Sequence, residues 1–446
     1  MKKIVKFIFF KSLYLINIII FLPLFFIILL ISFFKKIRFY EINSFLGAIG
    51  VNIKIYLCRK RRHLYRNEIN LFFIKNYFKI FVLKKNISNT FLLSIISENI
   101  MYVTPKNIYL FLLYNFIVEK IYNIIVLFNL KKFLINIKSY HGYFRENEEE
   151  VEGFRKAKDM LIKIKKNDLY KCDHEFETLN KVMDIKPDQK IITFYNRDRA
   201  YKKYQLPHMD LSYHDFRNFS VQDYELCIKH LIKKDFFTIR MGNITERKMQ
   251  LDNKNFFDYS KSNRVSPMMD IYLIYKSKFF IGSEGGLDKV ANLFRKPIVL
   301  VNIQFRSIQR KRNGLDHQKM KLIPNVSKQK MLELTGEDIF FIPQKYFNLE
   351  TNKYLTFSEM INSKVGLYIL DDQFKKSKIK VVNNTPEEIM NVAEEMDLFL
   401  DGKLEFSNED LKLQKIFWTK FNNEFSYSKN YKISPFFLRN NLNLLN

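Results

Sequence analysis

Two short stretches of this 446-residue chain carry residue types suited to holding an anion. Gly282-Ser283-Glu284-Gly285-Gly286 sets small residues between an apolar run and a helical one. Backbone N–H groups there can approach a phosphate, and the helix dipole adds to the attraction. Arg240-Met241-Gly242 ends another apolar run on a cation. Together they suit a diphosphate, contacted by Arg240, Gly242, Ser283, Gly285 and Gly286, with Glu284 placed to hydrogen-bond the ribose or sugar hydroxyls. Each also has a plainer reading: the glycines as a tight turn, and Glu284 as a solvated carboxylate at a helix start. The loop is not a Walker loop, since no Gly-Lys-Ser/Thr follows, and it lacks GxGxxG spacing. Arg197-Asp198 follows a third apolar run, where Arg197 could meet phosphate and Asp198 could act as a base or merely orient Arg197. Arg217 and Asn218 are expected to bind or orient a ligand, or to shape the turn before Ser220. The cysteines Cys58, Cys172 and Cys227 are too scattered for a disulfide framework or a four-ligand zinc site and fit a reducing cytoplasm. Cys172-x-His174 and His208-x5-His214 lack partners at ligand spacing, so no metal and no other cofactor is expected.

These residues need a scaffold, and the periodicity supplies one. Lys190–Tyr195, Phe236–Arg240, Lys278–Gly282 and Pro297–Val301 read as strands. Between them lie helical patterns: one starting at Ser220 with Asp223 as a capping-box partner, one over Pro267–Ser277, and one carrying Leu287, Val290, Ala291 and Phe294 on one face. Strand and helix alternate four times, which predicts an α/β fold with a doubly wound parallel sheet. In such sheets ligands bind outside the carboxyl ends of the strands, where both loops fall. A helix is expected after Thr385, with Pro386 at its first position.

Charge and apolar runs divide the chain. The formal net charge is +28, and the first 140 residues, with 22 Lys or Arg against four acids, hold +18 of it. Ser12–Phe34 is uncharged for 23 residues, enough to cross a hydrocarbon core of about 30 Å, and it does not end as a cleaved signal peptide does. Pro23 sits within it, so the anchor is expected to span or to re-enter. Residues 108–128 are apolar but interrupted by Glu119-Lys120, which favours an amphipathic helix. Beside an anchor, Arg59-Lys60-Arg61-Arg62 suits anionic lipid better than nucleic acid. Acidic residues between His141 and Gly153 reverse the charge and mark a boundary. The expected organisation is a membrane anchor over 1–38, a membrane-facing domain over 39–185, a ligand-binding domain over 186–384 and a helical segment over 385–446.

Tyr195-Asn196-Arg197-Asp198, Phe216-Arg217-Asn218, Arg240-Met241-Gly242, Asp258-Tyr259 and the Gly282–Gly286 loop, in this order and spacing, resemble a family of bacterial glycosyltransferases of surface polysaccharide synthesis. The family's pattern reads His-Ala-Arg-Asp, Tyr-Arg-Asn, Arg-Met-Gly, Asp-Tyr and Gly-Ser/Thr-x-x-Gly. The resemblance implies a GT-B-like pair of Rossmann-like domains, distantly similar to heptosyltransferases. A nucleotide-sugar would be held by the second domain, a lipid-linked glycan acceptor would approach the first, and residues 385–446 would cross back to the first. It also implies a metal-independent transfer on the cytoplasmic face of a bacterial inner membrane, with no nucleic acid as partner. In this reading Asp198 and Arg197 are catalytic, Asp258-Tyr259 borders the nucleobase, and Arg240, Gly242 and Ser283–Gly286 bind the donor. Two positions depart from the pattern: Val51 stands where a base is expected, and Tyr195 where His is. The base is then sought among Asp198, Asp215, His208 and His214, or else the protein is an inactive membrane-tethered glycan-binding scaffold of the same fold.

Overall fold

The computed structural model describes residues 162–205, 207, 210, 212–305, 338–420 and 431–445. In the first 161 residues it describes 34–43, 68–75, 89–97, 101–103 and 137–141, and singly Ile27, Leu30, Ile31, Leu46, Ile49, Gly50, Ile53, Tyr56 and Leu57. The chain divides into two compact units, Met1–Arg145 and Glu146–Asn446. Of the uncharged run Ser12–Phe34 only Ile27, Leu30, Ile31 and Phe34 are described, all four exposed, and Lys36–Arg38 of the expected anchor lie in a strand. Among the described residues no helix is long and apolar enough to cross a membrane. The 108–128 stretch, Arg59–Arg62, the acidic run after His141, Val51 and His208 lie outside the described residues.

The first unit holds a parallel sheet of four strands: β1 (Lys36–Asn43), β2 (Glu68–Lys75), β3 (Met101–Val103) and β4 (Ile137–His141), in the order β3-β2-β1-β4. β1 pairs with β2 from Lys36↔Glu68 to Asn43↔Lys75 and with β4 on its other side. Helix α1 (Thr90–Ser97) starts where Asn89 Oδ1 accepts the Leu92 N–H at 2.8 Å, an N-cap that satisfies an otherwise orphaned donor. It buries Leu92, Leu93, Ile95 and Ile96.

The second unit contains a seven-stranded parallel sheet: β5 (Ile191–Tyr195), β6 (Phe237–Arg240), β7 (Phe256–Phe257), β8 (Phe280–Gly282), β9 (Ile298–Ile303), β10 (Ile339–Pro343) and, last in the chain, β14 (Tyr431–Ile433). Every residue of β6, β8, β9 and β10 is buried, as expected where both faces of a parallel sheet are covered. The order is β14-β10-β9-β8-β5-β6-β7. The chain therefore moves outward from β5 to β6 and β7, then returns to start again at β8 on the other side. The β5–β8 boundary is the topological switch point, where doubly wound sheets open a crevice at their carboxyl ends.

Covering helices include α2 (Lys166–Met183), α3 (Ala200–Gln205), α4 (Glu225–Lys233), α5 (Pro267–Lys276) and α6 (Leu287–Leu293). Ser266 caps α5 by accepting the Met269 N–H, with Pro267 at the first position. Ser220 does not form the expected capping box. Its hydroxyl accepts from Gln222 N, and the chain makes a 3-10 turn over Val221–Tyr224 before α4 begins. A smaller antiparallel sheet, β11 (Lys345–Asn348), β12 (Lys353–Tyr354) and β13 (Ile379–Val382), follows β10, and helices α7 (Phe357–Asn362) and α8 (Asp371–Lys376) lie within it. Helix α9 (Pro386–Leu400) opens with the reciprocal Thr385–Glu388 capping box. Helices α10 (Asn408–Thr419) and α11 (Pro435–Asn440) complete the chain.

Residues 385–446, expected to return to the first unit, are built into the second. The α9 carboxylates Glu394 and Asp397 pair with His230 of α4 and with Lys234 just beyond it, and β14 adds to β10 at Tyr431↔Ile339. Without β14 the backbone edge of β10 would be unpaired, which is a physical reason for the segment to stay here.

Candidate active site

The strand ends at the switch point bring the motif residues together. β5 and β8 run side by side with Tyr195 opposite Gly282, so Asn196-Arg197-Asp198 and the Ser283–Gly286 loop emerge next to each other. The 215–219 segment is laced to the end of β5. Arg197 Nε donates to Asn218 Oδ1 at 3.2 Å, Asn218 Nδ2 to Asp215 Oδ1 at 2.8 Å, and Asn196 Nδ2 to the Phe219 carbonyl at 3.2 Å. Arg217 then reaches across to β8, where its Nη2 donates to the Glu284 carbonyl at 3.3 Å. Gln304, with its amide oxygen turned towards Arg217, accepts from Arg217 Nε at 2.5 Å. Asn218 is thus an orienting residue for Arg197, and Arg217 sits between the two loops.

The electrostatics of this pocket are those of crowded cations. Burial, and then the Arg217 charge, push the Arg197 guanidinium down to about 10. On α3, burial followed by Arg197 and Arg217 push Lys202 down to about 8. His214 is pushed down to about 4 by burial and then by Lys202, Arg217 and Arg197. It is therefore a neutral imidazole at pH 7. Its Nδ1 lies 3.1 Å from the Ile369 carbonyl, which can only accept, so Nδ1 carries the proton and Nε2 the lone pair. Arg197 and Arg217 lower the proton affinity of Lys202, and Arg217 that of Arg197; positive groups so crowded form a site that an anion would relieve, and paired guanidiniums match phosphate oxygens. Sequence reasoning missed Lys202 and Gln304. The available signal for Lys202 was its place in the helix that follows Arg197, five residues on.

Several expected roles change. Arg240 is fully buried and does not face a ligand: its guanidinium donates to Asp258 Oδ2 at 3.0 Å, Asn196 Oδ1 at 3.1 Å and the Arg247 carbonyl at 2.5 Å. Asp258 also accepts from Met249 N and Ser260 Oγ, while the Tyr259 hydroxyl bonds Ser266, so this pair holds loops together rather than bordering a base. Both oxygens of Asp198 accept backbone N–H groups, from Ala200 at 3.0 Å and Glu246 at 2.9 Å, which makes it a loop staple. Gly242, at φ +137°, is a turn: a Cβ there would stand 2.9 Å from Thr245. The Gly285 N–H, expected on phosphate, donates to Asp288 Oδ1 at 3.0 Å. Asp288 is buried and paired with Lys289, so the start of α6 already holds its own anion. Ser283 is buried, and its hydroxyl has no partner among the described residues.

No family model matches the chain, and no curated protein matches it. Among solved structures, Escherichia coli ADP-heptose lps heptosyltransferase II is similar at 12% identity and TM-score 0.32, covering 60% of this chain and 84% of its own. A glycosyl transferase family 9 protein from Veillonella parvula is similar at 9% identity and TM-score 0.32, covering 60% and 80%. TibC of enterotoxigenic E. coli is similar at 10% identity and TM-score 0.28, covering 61% and 59%, and is described as an iron-containing dodecameric glycosyltransferase. These structure neighbours are the kind of enzyme that the motif resemblance names. The iron of TibC removes metal independence as an expectation for this chain. Among the described residues no group of three or more His, Cys, Asp or Glu could hold a metal ion.

Proposed function

We propose that the chain is a membrane-associated glycosyltransferase, moving a sugar from a nucleotide-sugar to a lipid-linked or surface-polysaccharide acceptor. The observation that carries this reading is the Arg197–Arg217–Lys202 cluster at the β5–β8 switch point, beside the Ser283–Gly286 loop. A dinucleotide-like fold binds its anion at this place, and a diphosphate has the charge to settle three crowded cations. Arg197 and Arg217 hold the diphosphate and, as the sugar departs, stabilise the charge that grows on it. Asn218 keeps Arg197 in place.

The acceptor hydroxyl must lose its proton during transfer. Asp198 and Asp215 are both committed to loop contacts, Asp215 through Asn218 and Arg199. His214, with its Nε2 lone pair available, is the remaining described candidate, and a bound diphosphate that offsets Lys202, Arg217 and Arg197 would raise its lowered basicity towards that role. The uncharged run Ser12–Phe34 and the +18 charge of the first 140 residues support attachment to the cytoplasmic face of an inner membrane.

Purified full-length protein in detergent, given a panel of radiolabelled nucleotide-sugars and a bacterial lipid extract, tests the reading. Label should pass to extractable lipid from one donor, and Arg217→Ala should lower the rate about 100-fold or more. No transfer from any donor would overturn it.

A further inference from the structure

Tyr195 closes β5 at the switch point, and its ring lies against two glycines, of which Gly285 leaves room for it. A Cβ on Gly285 would stand 3.3 Å from Tyr195 Cε1, and one on Gly242 would stand 4.0 Å from Tyr195 Cδ2. Those atoms belong to opposite edges of the ring, so the phenol lies in a slot between the two strand-end loops. The Tyr195 backbone is fixed as well, since its carbonyl accepts from Tyr224 Oη at 3.1 Å. The hydroxyl is different: it makes no hydrogen bond among the described residues, and the residue is only partly buried. The charged groups around it are Arg197, Asp198, Asp288 and Arg217, and burial pushes the phenol up to about 12, so it keeps its proton at pH 7. A neutral donor suits this place, because a fourth cation would deepen the repulsion among Arg197, Arg217 and Lys202. The register puts the unpartnered Ser283 hydroxyl at the neighbouring strand end.

We infer that Tyr195 is a phosphate-binding residue: its hydroxyl donates to an oxygen of the anion that Arg197 and Arg217 hold, and Gly285 is small so that the ring can stand there. This rests on the reading of the cluster as a diphosphate site.

Calorimetric titration of the full chain in detergent with inorganic pyrophosphate separates the two claims. Tyr195→Phe keeps the ring in its slot and should bind about tenfold more weakly than wild type at an unchanged melting temperature. Tyr195→His, which restores a donor, should recover part of the loss. Wild-type affinity in Tyr195→Phe, with Arg217→Ala still impaired, overturns the role of Tyr195 and leaves the diphosphate site standing. Absence of pyrophosphate binding by the wild type overturns both. Should Tyr195→Phe fail to fold, Tyr195→His against Tyr195→Met asks the same question: binding by the His variant alone supports the role, and equal binding by both overturns it.

Discussion

At the residue scale, two arginines that look alike in sequence have opposite fates. Arg197 and Arg240 each stand at a strand end, yet Arg240 turns inward to Asp258 and Asn196 while Arg197 stands at the switch point beside Arg217. Periodicity could not separate them: all four residues of β6 are buried, and the partners that draw Arg240 inward lie 18 and 44 residues away. Arg240→Ala strands a buried carboxylate and should cost about 3–5 kcal/mol of stability by chemical denaturation, rather than selectively weakening a ligand. Lys202 gives a pH signature. Its pKa falls to about 8 in the folded chain from 10.5, so the unfolded chain holds the proton more tightly. Charged Lys202 therefore costs stability below pH 8, and this cost is relieved as pH rises from 8 to 10.5. Lys202→Met should remove that rise in urea melts at pH 7 and pH 9.5. A bound diphosphate should reverse the sign, taking up a proton above pH 8, which calorimetry in buffers of differing ionisation enthalpy would register.

At the element scale, β5, β6, β8 and β9 fall on the runs expected from apolar and β-branched residues, α5 starts at the expected Pro267, and α9 starts at its expected cap. These were legible because their signals are local. What tied the elements together was not. Asn302, at φ 51°, accepts the Asn384 N–H at 2.6 Å and donates its own N–H to Asn384 Oδ1 at 2.6 Å, locking the end of β9 to the start of α9 across 82 residues. Asn384 Nδ2 also donates to the Pro343 carbonyl. Asn384→Ala should leave buried backbone groups unsatisfied and cost about 3 kcal/mol, seen as a lowered denaturation midpoint with an unchanged slope. The glycine loop misled for a similar reason. Asp288, two residues after it, caps the Gly285 amide itself, so small residues before a helix did not leave a vacant phosphate cradle.

At the scale of the whole molecule, the described residues of both units carry a parallel sheet in which the second strand and then the third lie to one side of the first and the fourth to the other. The motif set gathers at the one place in the larger sheet where this winding opens a crevice, which is why motif order in the sequence was informative even where single residues were misassigned. The +18 charge of the first 140 residues goes with the proposed membrane attachment. Full-length protein is expected to bind vesicles containing anionic lipid more tightly than neutral ones, with the difference shrinking at high salt in a sedimentation assay.

The claim on which the rest depends is that the cations at the β5–β8 switch point hold a diphosphate. Thermal melting of the full chain with each nucleoside diphosphate in turn tests it directly, using wild type and the Arg197→Ala/Arg217→Ala double variant. The account predicts that at least one nucleoside diphosphate raises the melting temperature of the wild type and leaves the double variant unchanged. Equal stabilisation of both, or stabilisation of neither, would contradict it.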